Sequence, residues 1–195
     1  NLDASVEENV KQVAKALNKR VEDIVAIILD RPRHESVISE LRRLGARVKL
    51  ISDGDVSAAI ATAFERTGVD ILFGIGGAPE GVLAAAALKC LGGEIQGRLI
   101  PEDDEDRDRI ISMGLKEPEQ LLLMDDLVKE DDVIFAASGI TDGDFLQGVR
   151  YSGNTATTHS IVMRSITGTV RFIKAAHRLD LKPHYIARGF SANQE

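Results

Sequence analysis

The side chains best suited to chemistry occur in three short polar segments, each directly after an apolar run. The first carries Arg31 and Arg33 around a proline, and guanidinium groups on a stiff turn can grip a phosphate bidentately. Residues 53–55 follow the next run, and their two carboxylates can accept hydrogen bonds from sugar hydroxyls. The third segment is rich in glycine and holds Glu80, an oxygen ligand that suits a hard metal ion. Together these residues predict a site for a phosphorylated sugar.

A dinucleotide-binding loop is the main rival interpretation of the glycine-rich segment 74–81, and its register argues against it. Counted from Gly74, the third glycine of the pattern would fall at Pro79. Counted from Gly76, the second glycine would fall at Ala78. A carboxylate at Glu80, in the first helical turn, would also repel a pyrophosphate. The sequence therefore disfavours a nicotinamide or flavin site.

A purely structural role is the alternative interpretation for several of these residues. The two arginines could be surface residues near a helix start, and Glu80 could simply interact with the helix dipole. His34 is interpreted as a helix cap or a solvent-exposed residue. Asp55 is a good N-cap for the following helix, whereas Asp53 has less structural reason to be there. No Ser/His/Asp triad and no zinc-ligand spacing can be assembled from one cysteine and four histidines.

The elements that must position these segments alternate as strand and helix. The runs Ile24–Leu29, Arg47–Ile51 and Ile71–Phe73 read as buried parallel strands. Asp30 to Asp53 and Asp53 to Gly76 both span 23 residues, which is one strand and one helix per interval. Because right-handed crossovers bring the carboxyl ends of parallel strands to one edge, we expect the three polar segments to line the same rim. The helix faces and loops differ too much for a solenoid repeat.

The remaining patterns predict both helices and strands. A charge run at 101–109 reads as a solvated helix start, and Ser138–Asp144 as a fourth polar loop. The tail from Lys182 onward is expected to be peripheral. Helices are predicted at Val6–Asn18, Glu35–Leu44, Val56–Arg66 and Val82–Leu91 (buried on all sides), with one from the charge run to Met113 and a short one at Leu121–Val128. Further strands are predicted at Ile95–Ile100 and Val133–Ala137 (buried), with short ones at Gly148–Tyr151, Thr157–Arg164 and Thr169–Ile173.

Composition limits the classes of function. The 195 residues suggest one domain or a large part of one, with 44% hydrophobic and 28% charged residues. A net charge of −7 disfavours nucleic acid or an anionic membrane as partner, and no apolar run approaches the roughly 20 residues that cross a bilayer. The lone Cys90 is expected in the core, which suits a reducing cytoplasm. Because the chain opens with Asn1, we expect a fragment, a processed chain or part of something longer.

Five segments, in order and in register, resemble a known family over about residues 6–182. The segments are Asp30–His34, Leu50–Asp55, Gly74–Gly81, Ala137–Gly143 and Thr167–Arg171. The chain resembles the C-terminal part of class II, GlpX-type bacterial fructose-1,6-bisphosphatases. The resemblance implies the layered α/β sugar-phosphatase fold shared with inositol monophosphatases, with residues 1–195 forming a C-terminal, sugar-phosphate-binding lobe with a largely parallel sheet.

The resemblance also implies an activity. Family members hydrolyse the 1-phosphate of fructose 1,6-bisphosphate with Mg²⁺ or Mn²⁺ in gluconeogenesis and glycerol metabolism, and some also act on sedoheptulose bisphosphate. We expect a cytoplasmic homo-oligomer that binds no nucleic acid or membrane. A non-catalytic sugar-phosphate-binding module is the second hypothesis, and an unrelated Rossmann-like nucleotide protein is a weaker third.

Roles carry over residue by residue. Substrate-binding residues implied by the resemblance are Arg31, Pro32 and Arg33 at the remaining phosphate, with Asp53, Gly54, Asp55 and Gly77 at the sugar. Glu80 would be the one metal ligand in this half. The family's N-terminal portion, with the other acidic ligands and the groups that activate water, has no counterpart in this sequence. We therefore expect no catalytic residue in this segment and no phosphatase activity from it alone.

Overall fold

The computed structural model describes residues 1–143 and 145–182, so Asp144 and the predicted peripheral tail beyond Lys182 lie outside the described part. The described helices are α1 (Val6–Ala16), α2 (Glu35–Arg43), α3 (Asp55–Ala61), α4 (Ala78–Leu91), α5 (Asp104–Ser112) and α6 (Met124–Leu127). The described strands are β1 (Val25–Leu29), β2 (Arg47–Ile51), β3 (Ile71–Leu72), β4 (Ile134–Ser138), β5 (Arg150–Ser152), β6 (Thr155–Arg164) and β7 (Thr169–Arg178).

The first three strands form the parallel sheet that the sequence predicts. Their order is β2-β1-β3, and Ala26 of the central strand pairs with Val48 on one side and Ile71 on the other. The β-branched run of β1 is buried on both faces, as a central parallel strand requires. All three strands run in one direction, so their carboxyl ends meet at a single edge.

Helices cover both faces of this parallel sheet. Val10 and Ala14 of α1 and Leu41 of α2 pack with Ala26 on one face. Ala58 and Ala61 of α3 pack on the opposite face with strand residues such as Ile27. The helix α4 contacts α3 on its far side, where Ala59 packs with Ala84 and Leu88. The parallel sheet is thus enclosed between two helical layers.

The remaining four strands form an antiparallel sheet, so the prediction of a largely parallel sheet is wrong beyond β3. The ten-residue β6 pairs along its whole length with β7, and with β4 and β5 on its other side. Tight turns at Gly153 and Gly168, both with positive φ, force antiparallel pairing where a parallel pair would need a long crossover. Ile60, Ala87, Cys90, Phe135, Ile161 and Met163 form the core between this sheet and the α3–α4 layer.

Several predicted elements differ in extent. The stretch predicted as strand Ile95–Ile100 is irregular, since among the described residues only a bridge between Gly97 and Leu122 gives it a sheet contact. The helix predicted to reach Arg66 ends at Ala61, because the hydroxyls of Thr62 and Thr67 donate to carbonyls at its end. Glu65–Thr67 forms a 3₁₀ turn instead.

Burial corrects two further predictions. Helix α4 is not buried on all sides, because Val82 and Leu83 in its first turns are about half exposed. The strand β4 is buried on one face only, with Phe135 inward and Ile134 outward. Cys90 lies in the core as predicted, with only 3% of its surface exposed. Within the described ranges, no helix combines the length and apolar character that a membrane span needs.

The charge run forms an exposed helix, as predicted. Asp103 is the N-cap of α5, and its side chain accepts the backbone N–H of Asp106. Acidic residues occupy the first turn and no residue of the helix is buried. The short helix predicted at Leu121–Val128 is confirmed only over Met124–Leu127.

Candidate functional site

The three polar segments converge on one cleft at the carboxyl edge of the parallel sheet. The cleft has a volume of about 260 Å³. Its lining residues are Leu29, Arg31, Arg33, Asp53, Gly54, Asp55, Gly76, Gly77 and Glu80. The co-location predicted from successive crossover connections is therefore confirmed. Of the predicted site residues, only Pro32 is absent from this lining; it begins the 3₁₀ turn Pro32–His34 and is exposed.

Arg31 connects the end of β1 to the end of β2. Its Nη2 donates to the carbonyl of Ser52 at 2.6 Å, and its Nη1 donates to the carbonyl of Asp30 at 2.9 Å. These bonds use two of the five N–H donors of the guanidinium. The other three N–H donors make no hydrogen bond to the described residues, and a bidentate contact with an oxyanion needs two of them.

Arg33 makes the equivalent connection to the loop after β3. Its Nε and Nη2 both donate to the carbonyl of Ile75, at 3.0 and 2.7 Å. The two arginines thus brace the neighbouring loops on either side of the central strand, which is more than the surface location that a purely structural interpretation gave them. Like Arg31, Arg33 has three further N–H donors, which make no hydrogen bond to the described residues.

His34 is not a cap or a solvent-exposed residue, as the sequence suggested. Only 1% of its surface is exposed, and no side-chain cap bond is present at the start of α2. Its ring lies between the carbonyl of Leu29 and the backbone N–H of Ile75. His34 is the last residue of the 3₁₀ turn that Pro32 begins, directly before α2.

The Asp-Gly-Asp segment turns sharply into α3. Gly54 has φ +82°, a left-handed conformation that favours glycine, and it occupies the N-cap position. The prediction that Asp55 is the N-cap is therefore wrong: Asp55 is the first helical residue. Its Oδ1 accepts the adjacent N–H of Val56, at 3.0 Å. Asp53 is exposed at the rim of the cleft.

Two glycines leave room for two carboxylates. A Cβ on Gly76 would lie 2.7 Å from Oδ2 of Asp55, and a Cβ on Gly77 would lie 2.2 Å from Oε2 of Glu80. Neither glycine has a positive φ, so close approach rather than backbone conformation explains them. The backbone of the glycine loop thus contacts acids from both the second and the third polar segments.

The donor set suits a hard cation only in part. Carboxylate oxygens of Asp55 and Glu80 face the same cleft, and such oxygens are the ligands that Mg²⁺ and Mn²⁺ prefer. In residues 1–143 and 145–182, however, no three side chains of His, Cys, Asp or Glu gather into a group that could hold a metal ion. The described residues could therefore supply only part of a metal coordination sphere. Glu80 lies at the N-terminus of α4.

One residue of the cleft, Leu29, escaped the sequence prediction. Gly76 also lines the cleft, and it belongs to the glycine-rich segment that was predicted to lie at this rim. The fourth polar loop does not line this cleft over its described residues. There Asp142 instead pairs with Arg150 and accepts the N–H of Gly148, which stabilises the loop itself.

Comparison with known proteins gives a consistent result. The family described as bacterial fructose-1,6-bisphosphatase, glpX-encoded, matches residues 1–177. A Synechocystis protein is 44% identical over 189 residues, and a protein of Synechococcus sp. JA-3-3Ab is 42% identical over 192 residues. Both carry the name D-fructose 1,6-bisphosphatase class 2/sedoheptulose 1,7-bisphosphatase.

The matches cover a larger share of this chain than of its relatives. They cover 91% and 92% of this chain but 55% of each relative, so the chain spans about half the length of the curated relatives it matches. The family match covers nearly all of the described residues, including every residue of the cleft. The chain belongs to the glpX-encoded family of bacterial fructose-1,6-bisphosphatases.

Proposed function

We propose that this chain forms the sugar-phosphate-binding side of a metal-dependent phosphatase that hydrolyses fructose 1,6-bisphosphate to fructose 6-phosphate and phosphate. Arg31 and Arg33, on the turn that begins at Pro32, hold the phosphate that is not cleaved. Asp53, Gly54, Asp55 and Gly77 bind the sugar. Glu80 supplies one ligand to Mg²⁺ or Mn²⁺, and the other ligands and the groups that activate water come from the portion of the relatives that this chain does not cover.

One observation carries the proposal. Two guanidinium groups with spare donors and three carboxylates share one cleft of about 260 Å³, at the sheet edge where α/β proteins bind their ligands. Cations recognise phosphate, whereas carboxylates accept hydrogen bonds from hydroxyls, so the combination fits a molecule that has both groups. A sugar phosphate has that chemistry.

Wider properties follow from the same proposal. The protein works in the cytoplasm, as a homo-oligomer, in gluconeogenesis, and the complete molecule adopts the layered sugar-phosphatase fold. The helix–sheet–helix–sheet succession of this chain supports that fold. Sedoheptulose bisphosphate is a second candidate substrate, because both relatives carry that activity in their names.

Arg33 provides the experiment that tests the phosphate contact. We expect Arg33→Ala in the intact protein to raise KM for fructose 1,6-bisphosphate roughly tenfold or more, since charge-assisted hydrogen bonds of about 1.5–3 kcal/mol are lost. The matched control is Arg42→Ala, which removes an exposed positive charge from α2 away from the cleft. A KM that stays the same in Arg33→Ala, or rises equally in the control, would remove Arg33 from the site.

A second experiment separates an enzyme from a binding module. We expect Glu80→Gln in the intact protein to weaken activation by Mn²⁺ while the affinity for fructose 6-phosphate stays close to that of the wild type. The 195-residue chain alone is expected to bind fructose 6-phosphate without turning over the bisphosphate. Turnover by the chain alone would contradict the assignment of the remaining metal ligands, and no turnover by the intact protein would favour the module.

A further inference from the structure

His34 is the one polar side chain that is fully buried among the described residues. Its Nδ1 lies 2.8 Å from the carbonyl oxygen of Leu29, the last residue of β1. Its Nε2 lies 2.9 Å from the backbone nitrogen of Ile75, in the glycine loop after β3. One imidazole ring thus connects the end of the central strand to a loop 41 residues further along the chain.

The partners determine which nitrogen carries the proton. A carbonyl oxygen can only accept, so Nδ1 must donate to Leu29. A backbone N–H can only donate, so Nε2 must accept from Ile75 and must be unprotonated. The ring is therefore in the neutral Nδ1–H tautomer, and either the other tautomer or the imidazolium would place a donor opposite the N–H of Ile75.

The two peptide groups that flank Ile75 are each held by a residue of the turn Pro32–His34. His34 accepts the N–H of Ile75, and Arg33 donates twice to its carbonyl oxygen. Gly77, against which the Glu80 carboxylate lies, follows two residues later. The position of the glycine loop relative to the turn Pro32–His34 therefore depends on these contacts.

We propose that His34 is a positioning residue that sets the distance between the phosphate-binding turn and the glycine loop that carries Glu80. This inference rests on the proposed function for the ligands at each end. His34 touches neither sugar nor metal itself. It acts through the peptide of Ile75, so that Arg33 and Glu80 are held in register on one substrate.

Two substitutions distinguish positioning from simple space filling. His34→Gln keeps a carbonyl oxygen near the location of Nε2, where it can accept from Ile75. His34→Asn is shorter and keeps only a donor near Nδ1, which leaves the N–H of Ile75 without its partner. His177→Gln is the matched control, because it removes a histidine in β7 that contacts Thr158, far along the chain from the cleft.

The test measures amide hydrogen exchange at Ile75 and affinity for fructose 6-phosphate in the intact protein. For His34→Asn we expect exchange at Ile75 to accelerate roughly tenfold and the affinity to fall roughly tenfold, with core amides such as Ile28 unchanged. For His34→Gln and His177→Gln we expect both values to stay within roughly threefold of the wild type. Equal effects of Asn and Gln, or an unchanged Ile75 in the Asn variant, would overturn the proposal.

A measurement on the wild type keeps the proposal testable if a variant does not fold. A ¹H–¹⁵N spectrum of the histidine rings distinguishes protonated from unprotonated nitrogens, and we expect the proton of His34 on Nδ1. A proton on Nε2 would overturn the positioning role. If the wild type binds no fructose 6-phosphate, the proposed function fails, whereas exchange at Ile75 still decides whether His34 holds the loop.

Discussion

Gly77→Ala is the change that most directly perturbs Glu80 while leaving the backbone conformation intact. Gly77 has φ −67° and ψ 143°, an extended conformation that alanine adopts without strain. The new methyl carbon would lie 2.2 Å from Oε2 of Glu80, whereas ordinary contact begins at 3.4 Å. The carboxylate must therefore retreat by the difference, about 1.2 Å. Because the end of a glutamate side chain is flexible, the fold should tolerate this.

The expected cost falls on metal activation. Metal–ligand distances tolerate deviations of only about 0.2 Å, and misplacing a reacting group by about 1 Å can reduce the rate roughly 100-fold. In the intact protein we therefore expect Gly77→Ala to lower turnover of fructose 1,6-bisphosphate roughly 100-fold at a fixed Mn²⁺ concentration, with the Mn²⁺ activation midpoint shifted upward. The assay is phosphate release across a Mn²⁺ titration.

Gly81→Ala is the matched control. Gly81 lies in α4, and a Cβ there would meet nothing within 4 Å. Alanine at a helical position should raise the unfolding free energy by about 0.5–1 kcal/mol and leave Mn²⁺ activation unchanged. The reasoning is refuted if Gly77→Ala retains the wild-type Mn²⁺ midpoint, or if both alanine variants lose activity equally.

Two further predictions concern the scaffold. Asp70→Ala should lower the unfolding free energy by about 1–3 kcal/mol in urea titrations, because Asp70 accepts the N–H of Val25 at 2.9 Å and pairs with Lys19. Asp70→Asn keeps an acceptor and should therefore lower the unfolding free energy by less. Equal decreases in the two variants would contradict this prediction. Burial raises the pKa of the Cys90 thiol. At alkaline pH this thiol therefore keeps its proton in the folded chain and loses it in the unfolded one, so its contribution to stability falls as pH rises above the ordinary thiol pKa. Cys90→Ala should remove this part of the fall, and an identical pH profile in the variant would contradict it.

The parallel half of the fold could be predicted from sequence because its signals are local. The β-branched run of β1, the constant spacing of the polar segments and the handedness of crossovers together determine where Arg33, Asp53 and Glu80 meet. None of these inferences needs a contact between distant residues to be known in advance. The cleft is therefore predictable even though the exact helix ends are not.

The antiparallel half and His34 could not be predicted for the opposite reason. The residues of β6 give no clean two-sided pattern, because even the face away from the helices is only partly exposed over most of the strand. The burial of His34 depends on Ile75, far along the chain, and no local pattern reports it. The N-cap at Gly54 instead of Asp55 reflects a left-handed backbone that the side-chain preference of aspartate does not reveal.

The backbone bonds of Arg31 and Arg33 have a consequence for selectivity. Because the carbonyls of Ser52 and Ile75 already immobilise both guanidinium groups, little rotamer entropy is left for an incoming anion to remove. Rigid donors discriminate by shape, so a planar carboxylate and a tetrahedral oxyanion of equal charge should be distinguished more sharply than by flexible lysines. Folding around the central strand therefore fixes the positions of both guanidinium groups before a ligand binds.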